Sequence, residues 1–177
     1  MQRAAGLTGW RYACCISMNA AAPSSPSHAP VIAPTTSPRE QVIDWLEHFA
    51  GFLRERRYED ARTLFSPGVV GFGTKAYVAF GLTALEQQQW RPIWQASSAF
   101  RFDFSELRLF GDDSTIVAAV PWTSVGYDAT GAPFQRPGRA TVVLNREGER
   151  LLAVHTHFSL APTISGKKSY PPPVVSE

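Results

Sequence analysis

The 177-residue chain is poor in cysteine, in charge and in long apolar runs. Its two cysteines, Cys14 and Cys15, are adjacent. They cannot build a disulfide framework or, by themselves, a four-ligand zinc site. Charged residues make up 18% of the chain, against ~25% in an average soluble domain. With 17 Lys+Arg and 15 Asp+Glu the net charge is +2, too even to point to nucleic acid. No run of ~18 apolar residues exists, so no transmembrane helix and no membrane partner are expected. Arg11 interrupts the apolar patch around Ala13–Ile16, which leaves residues 1–17 a poor export signal. A translation start at Met18 or a plain tail are the competing readings, and the expected location is cytoplasmic. A Gly-rich phosphate loop, a nucleophile elbow and a Ser/His/Asp set are all missing, and no cofactor is expected.

What is present falls into three parts. Residues 20–38, AAAPSSPSHAPVIAPTTSP, carry almost no periodicity and no charge. Such a stretch buries too little apolar surface to offset its ordering entropy, so residues 1–37 are expected to be disordered. Residues 163–177 form a second tail around Pro171-Pro172-Pro173, read as extended polyproline. Between them, 38–162 has the length of one ordinary domain.

Ser37-Pro38 followed by Glu40 predicts a helix start. Val42, Trp45, Leu46, Phe49, Phe52 and Leu53 then recur three and four apart, giving one apolar face. A second helix is predicted from Tyr58 to Phe65, ending at Ser66-Pro67-Gly68, and a third from about Thr83 to Ala96. Two β-rich pieces, Val69–Thr74 and Tyr77–Gly81, lie between them. Phe100, Phe102 and Phe104 alternate with Arg101 and Asp103, as along a strand. After Ser105-Glu106 the apolar phase moves to Leu107, which predicts a β-bulge. Ser114–Tyr127 reads as a long strand in which Pro121 implies an edge or another bulge. Arg139–Asn145 and Leu151–Ser159 pair around Glu147-Gly148. Helices followed by four long antiparallel strands make an α+β domain with helices packed on a curved sheet.

This order, together with Gly138–Leu144, the Arg146-Glu147-Gly148 turn and Val154-His155-Thr156-His157-Phe158-Ser159, resembles the nuclear transport factor 2-like superfamily. Within it the chain is most similar to the SnoaL-like and ketosteroid-isomerase-like group. The Val-His-x-His-x-Ser ending, Tyr58-Glu59-Asp60-Ala61 and Gly111-Asp112-Asp113 also resemble the association domain of calcium/calmodulin-dependent protein kinase II. Leu151 departs from the tryptophan usual in the group. The resemblance implies a cone-shaped, curved antiparallel sheet wrapped around three N-terminal helices, with a pocket at the open end. Because the superfamily includes isomerases, cyclases, hydrolases and assembly domains, fold does not choose among functions.

By the same resemblance Thr156 and Phe158 line the pocket, with His155 and His157 behind them. The matching phase on the preceding strand turns Arg139 and Thr141 inward. Trp90, Trp94, Phe102 and Trp122 are candidate wall residues, and Tyr77 a candidate donor. Arg139, as the one strongly basic inward candidate, is expected to recognise an anionic or carbonyl ligand. The His155/His157 pair has no evident third ligand, so no metal is expected. A carboxylate base facing an apolar cavity, which an isomerase needs, is not apparent; Asp44 is the nearest candidate for a rim position. Two functions therefore compete: a cofactor-independent acid–base enzyme acting on a hydrophobic small molecule, and a non-catalytic ligand-binding or oligomerisation domain. A homodimer through the outer sheet face is expected in either case.

Overall fold

A computed structural model of the protein describes residues 36–162. The readings of the cysteines, of residues 1–35 and of the proline-rich tail from 163 onward lie outside the described residues. Helix α1 (Pro38–Glu55) starts where Ser37-Pro38 placed it. The Glu40 N–H donates to Ser37 Oγ at 3.2 Å, and the Ser37 N–H donates to the Glu40 carboxylate at 2.8 Å. This reciprocal cap satisfies donors that a helix start would otherwise leave orphaned. The Ser37 backbone N–H, and then its hydroxyl, hold the Glu40 carboxyl below the usual range. Val42, Trp45, Leu46, Phe49 and Leu53 form the buried stripe. Arg56 ends the helix in the left-handed region, with φ 58°.

Helix α2 (Tyr58–Arg62) is shorter than its sequence implies, because the chain enters strand β1 (Phe65–Phe72) directly. Ser66-Pro67-Gly68 is therefore not a helix stop. It lies inside β1, where the register against the last strand shifts between Phe65 and Val70. After the short strand β2 (Ala79–Phe80) the third helical segment runs in three pieces. These are α3 (Leu82–Leu85), a π-helical turn (Glu86–Trp90) and α4 (Arg91–Gln95). Pro92 has no N–H to return to the preceding turn, and the Arg91 N–H bonds the carbonyl of Glu86, five residues back. Widening the turn accommodates the proline without breaking the helix.

The remaining strands are β3 (Ser97–Phe102), β4 (Arg108–Gly111), β5 (Thr115–Tyr127), β6 (Pro133–Glu147) and β7 (Arg150–Leu160). One seven-stranded sheet results, in the order β2-β1-β7-β6-β5-β3, with β4 also on β5. Its ladders are antiparallel except β1–β7, which is parallel, so the sheet is mixed and not purely antiparallel as expected. A parallel neighbour needs a crossover and not a hairpin, and here the third helical segment and five strands intervene. The expected bulge at Ser105-Glu106 is instead a 3₁₀ turn, Phe104–Glu106, in which Asp103 Oδ1 accepts from the Ser105 N–H at 3.1 Å. The irregularity of this region lies earlier, at Ala99 with φ 52°, where the β3–β5 register shifts. Pro121 likewise marks neither an edge nor a bulge. Strand β5 pairs with β4 as far as Ala119 and with β3 from Trp122, so the missing N–H faces the gap between the two neighbours.

Even-numbered residues of β5 and β6 point inward onto α1. Ile116, Ala118, Val120, Trp122 and Ser124 on β5 are buried, as are Ala140, Val142 and Leu144 on β6. This inner face and the stripe of α1 form a single core.

Candidate functional site

An aromatic cavity opens where the inner face of the sheet meets the π-helical turn. Its walls are rings: Trp90 and Trp94 stack at 5.1 Å, and Phe49 lies edge-on to Trp94 at 5.9 Å. Phe158 bridges Phe49, Phe100 and Trp122 at 6.0, 6.4 and 6.3 Å. The free space is about 40 Å³, enough for roughly three waters. Polar atoms enter this lining at Thr74, Gln89, Ser97, Ser124, Arg136 and Thr156. Among the described residues that line it there is no carboxylate and no histidine.

Two of the polar groups are under-satisfied. Trp122 is 3% exposed, and its Nε1–H is buried with no acceptor among the described residues. Such a donor costs about 1–3 kcal/mol while it stays unpaired. Arg136 places its guanidinium carbon 5.8 Å from the Trp122 ring centroid. It reaches only hydroxyls, donating to Ser124 Oγ at 3.4 Å and Thr74 Oγ1 at 3.5 Å. Both bonds are long for N–H···O. No carboxylate among the described residues pairs with it, and burial pulls its pKa down. Gln89, by contrast, is engaged through both its amide oxygen and its amide nitrogen. Its Oε1 accepts from the Lys75 and Ala76 N–H groups at 2.9 Å each, while its Nε2 donates to Thr74 Oγ1 at 3.3 Å. Gln89 thereby pins the β1–β2 loop at the cavity mouth. A Cβ on Gly73 would collide with its amide, so glycine is what lets the loop close on it.

Of the residues singled out from sequence, Trp90, Trp94, Trp122, Thr156 and Phe158 come together in this cavity. Phe102 is buried one layer behind, 6.3 Å from Phe158. Arg139 and Thr141 do not turn inward. They pair across the sheet with Ser159 and His157 on the outer face, and Arg139 is exposed. The cause is a bulge. From the turn, Glu147↔Arg150, Asn145↔Leu152 and Leu144↔Ala153 keep one register. Continued unbroken, that register would set Thr141 opposite Thr156. At Val154 β7 carries one extra residue, and the pairs become Val143↔His155 and Val142↔Thr156. One inserted residue moves every later side chain of β7 to the opposite face relative to β6. Tyr77 is also misplaced by the sequence reading: at 95% exposure it points to solvent, because Ala76 is the buried residue of that loop.

Arg136, Ser124, Gln89 and Thr74 went unnoticed in the sequence. The signal for Arg136 was present but masked. Phe134, Arg136 and Gly138 share the inward phase with Ala140, while Pro133 and Pro137 make the segment look like a turn. Strand β7 ends at Leu160, opposite Gly138, so no ladder requires an N–H from Pro137. Its carbonyl accepts from Ala161 instead, at 2.8 Å.

Asp44 lies far from this chemistry. It is 71% exposed and sits 3.4 Å from His48 Nδ1 on open, mixed-polarity grooves flanking α1. On the outer face the Phe72 ring stands edge-on to His155 at 5.0 Å and to His157 at 5.7 Å. Among the described residues no three His, Cys, Asp or Glu side chains converge as a metal site would require. None of the described helices is long and apolar enough to cross a membrane.

The model of the SnoaL-like domain family matches residues 42–163. Solved structures share the fold at low identity. A nuclear transport factor 2-like superfamily protein from Salmonella enterica serovar Typhimurium aligns with TM-score 0.62 at 15% identity, over 74% of this chain and 96% of its own. A Xanthomonas campestris protein provisionally described as a calcium/calmodulin-dependent protein kinase II association domain gives 0.60 at 18%, over 74% and 93%. A Streptomyces avermitilis member of the NTF2-like family, provisionally described as a dehydratase, gives 0.59 at 15%, over 69% and 95%. No curated protein matches the sequence significantly.

Proposed function

The chain belongs to the SnoaL-like domain family, with an NTF2-like fold, and from that premise we propose that it is a small-molecule-binding domain whose ligand occupies the aromatic cavity. The observation that carries this reading is the Trp122 Nε1–H, a buried donor without an acceptor among the described residues, on a ring that forms part of a largely aromatic lining. A ligand oxygen there would relieve a standing cost, and a flat, hydrophobic body suits the aromatic walls. Binding is favoured over acid–base catalysis because the described lining holds no carboxylate or imidazole to move a proton. Soaking crystals with a library of small aromatic fragments tests the reading. Density in the cavity with an acceptor on Trp122 Nε1 is the expected result; fragments bound only in the grooves beside α1 would overturn it.

A second proposal concerns self-association. The outer sheet face offers Phe72, 41% exposed, between His155 and His157. We propose that this face pairs two copies of the chain. Sedimentation should give a dimer that Phe72→Glu converts to monomer, and a wild-type monomer at micromolar concentration would refute it.

A further inference from the structure

We propose that the cavity selects a single-ring aryl carboxylate, held by Arg136 at the mouth and by Trp122 within, in preference to its uncharged analogue. The proposal rests on the small-molecule reading above and goes further, to the charge and size of the ligand. Three observations bear on it.

The first is that Arg136 is a cation without a counter-charge among the described residues. It sits on the inward phase of β6, opposite Ser124, and its only hydrogen-bond partners among the described residues are two hydroxyls at the long end of the range. A guanidinium withdrawn from water is ordinarily paired with a carboxylate or phosphate, whose two oxygens match its fork. The second is that the Trp122 ring, its centroid 5.8 Å from the same guanidinium, carries a buried N–H with no acceptor among the described residues. A carboxylate is acceptor-only, so one such group presents oxygens to both donors with no N–H or O–H of its own to strand. An amide of the same shape offers one oxygen and brings an NH₂ group towards a cation.

The third observation is size. About 40 Å³ of free space is well under the ~150 Å³ that encloses a benzene molecule completely. The occupant therefore puts one edge of a ring among the tryptophans and keeps the rest in the open mouth beside Arg136. A fused multi-ring skeleton is too large to be enclosed there without rebuilding the wall. Gln89 limits how far the wall can retreat, since it fastens the Thr74–Ala76 loop through three hydrogen bonds.

Benzoate and benzamide, nearly equal in shape and different in charge, are the probes. The full chain is labelled with ¹⁵N, and the Trp122 indole N–H resonance is assigned by its loss in Trp122→Phe, among the five tryptophans of the chain. Both probes are titrated against wild type, Arg136→Gln and Arg136→Lys. Benzoate should move the Trp122 resonance and bind ~10-fold or more tightly than benzamide, the range expected for a charged hydrogen-bond partner. That preference should vanish in Arg136→Gln and return in part in Arg136→Lys, whose ammonium is a point charge and not a fork. Equal binding of the two probes by wild type, or a preference for benzamide, would overturn the carboxylate proposal and leave the small-molecule reading standing. A Trp122 resonance that neither probe moves up to its solubility limit would overturn both. The wild-type comparison decides the matter even if a variant fails to fold.

Discussion

Two charges in this domain have been drawn from water, Glu86 fully and Arg136 in part, and their surroundings differ in kind. Glu86 opens the π-helical turn with 7% of its side chain exposed. It accepts from Arg62 Nη1 at 2.7 Å and from Arg91 Nε at 2.8 Å. Arg91 in turn lies over the Tyr58 ring at 4.6 Å, so α2, the π-helical turn and α4 are fastened through one carboxylate. Burial alone would raise the Glu86 pKa; the hydrogen bonds and charges of the two arginines outweigh it and hold the carboxyl below its ordinary value. Arg136 has two hydroxyls and an aromatic face, and no opposite charge among the described residues. A charge that is completely answered from within belongs to the architecture. One that is left unanswered beside a cavity is available to something outside the chain.

The largest expected effect therefore falls on the answered charge. Glu86→Gln keeps the shape and removes the charge between two arginines. Breaking a buried pair from one side costs ~3–5 kcal/mol when the remaining charge stays buried. Arg62 and Arg91 are 31% and 49% exposed and can turn to water, so a loss of about 2–3 kcal/mol is expected, read from urea denaturation. The pH dependence has a definite sign. Since the folded pKa is depressed, the contribution of Glu86 is complete above the ordinary glutamate pKa. It is lost as pH falls through the lower folded value. The gap between wild type and Glu86→Gln should narrow in acid, and a constant gap would show that the charge is not its source.

Next in size is the support of Trp122. Gly138 lies on β6 against the edge of the indole, and an added Cβ would overlap ring atoms Cε2 and Cζ2 and approach the Ser159 carbonyl. Backbone and a buried ring cannot both retreat cheaply, so Gly138→Ala should cost about 2 kcal/mol as an overpacked site. It should also shift the Trp122 indole resonance without any ligand present. A silent substitution would mean that the ring is less fixed than the comparison requires.

Neither of the two charges was singled out from the sequence. The helix start at Ser37-Pro38, the α1 stripe and the aromatic walls follow from period and cap chemistry, which act within a few residues. Thr156 and Phe158 were placed inward through the family resemblance. The inward phase of β6 was lost because it depends on a single inserted residue, Val154, on a different strand; no local pattern around Arg139 or Thr141 records it. The strand carrying Arg136 was hidden by Pro133 and Pro137, whose tolerance depends on where β7 ends. The third helix reads as one run from about Thr83 to Ala96, without the π-helical turn that accommodates Pro92. The expectation of a basic group among rings was attached to Arg139, three positions from Arg136, the arginine that lines the cavity. In a strand an odd displacement of that kind exchanges the two faces.

The smallest expected effect on stability belongs to Arg136→Met, and its smallness is the test. The substitution keeps an unbranched apolar side chain against Trp122 and removes a cation whose charged form burial already disfavours. It forfeits two long hydrogen bonds and a cation–π contact worth ~0.5–1 kcal/mol, while the desolvation of the guanidinium is no longer incurred. These terms oppose one another, so stability should stay within about 0.5 kcal/mol of wild type, against a loss several times larger at Glu86. Chemical denaturation of the two variants side by side makes the measurement. A loss of ~2 kcal/mol or more in Arg136→Met would make Arg136 a structural charge like Glu86, and would remove the reason for reading the cavity mouth as a recognition site. An unchanged midpoint, together with loss of benzoate binding, would separate the two charges: one holds helices together and the other holds the proposed ligand.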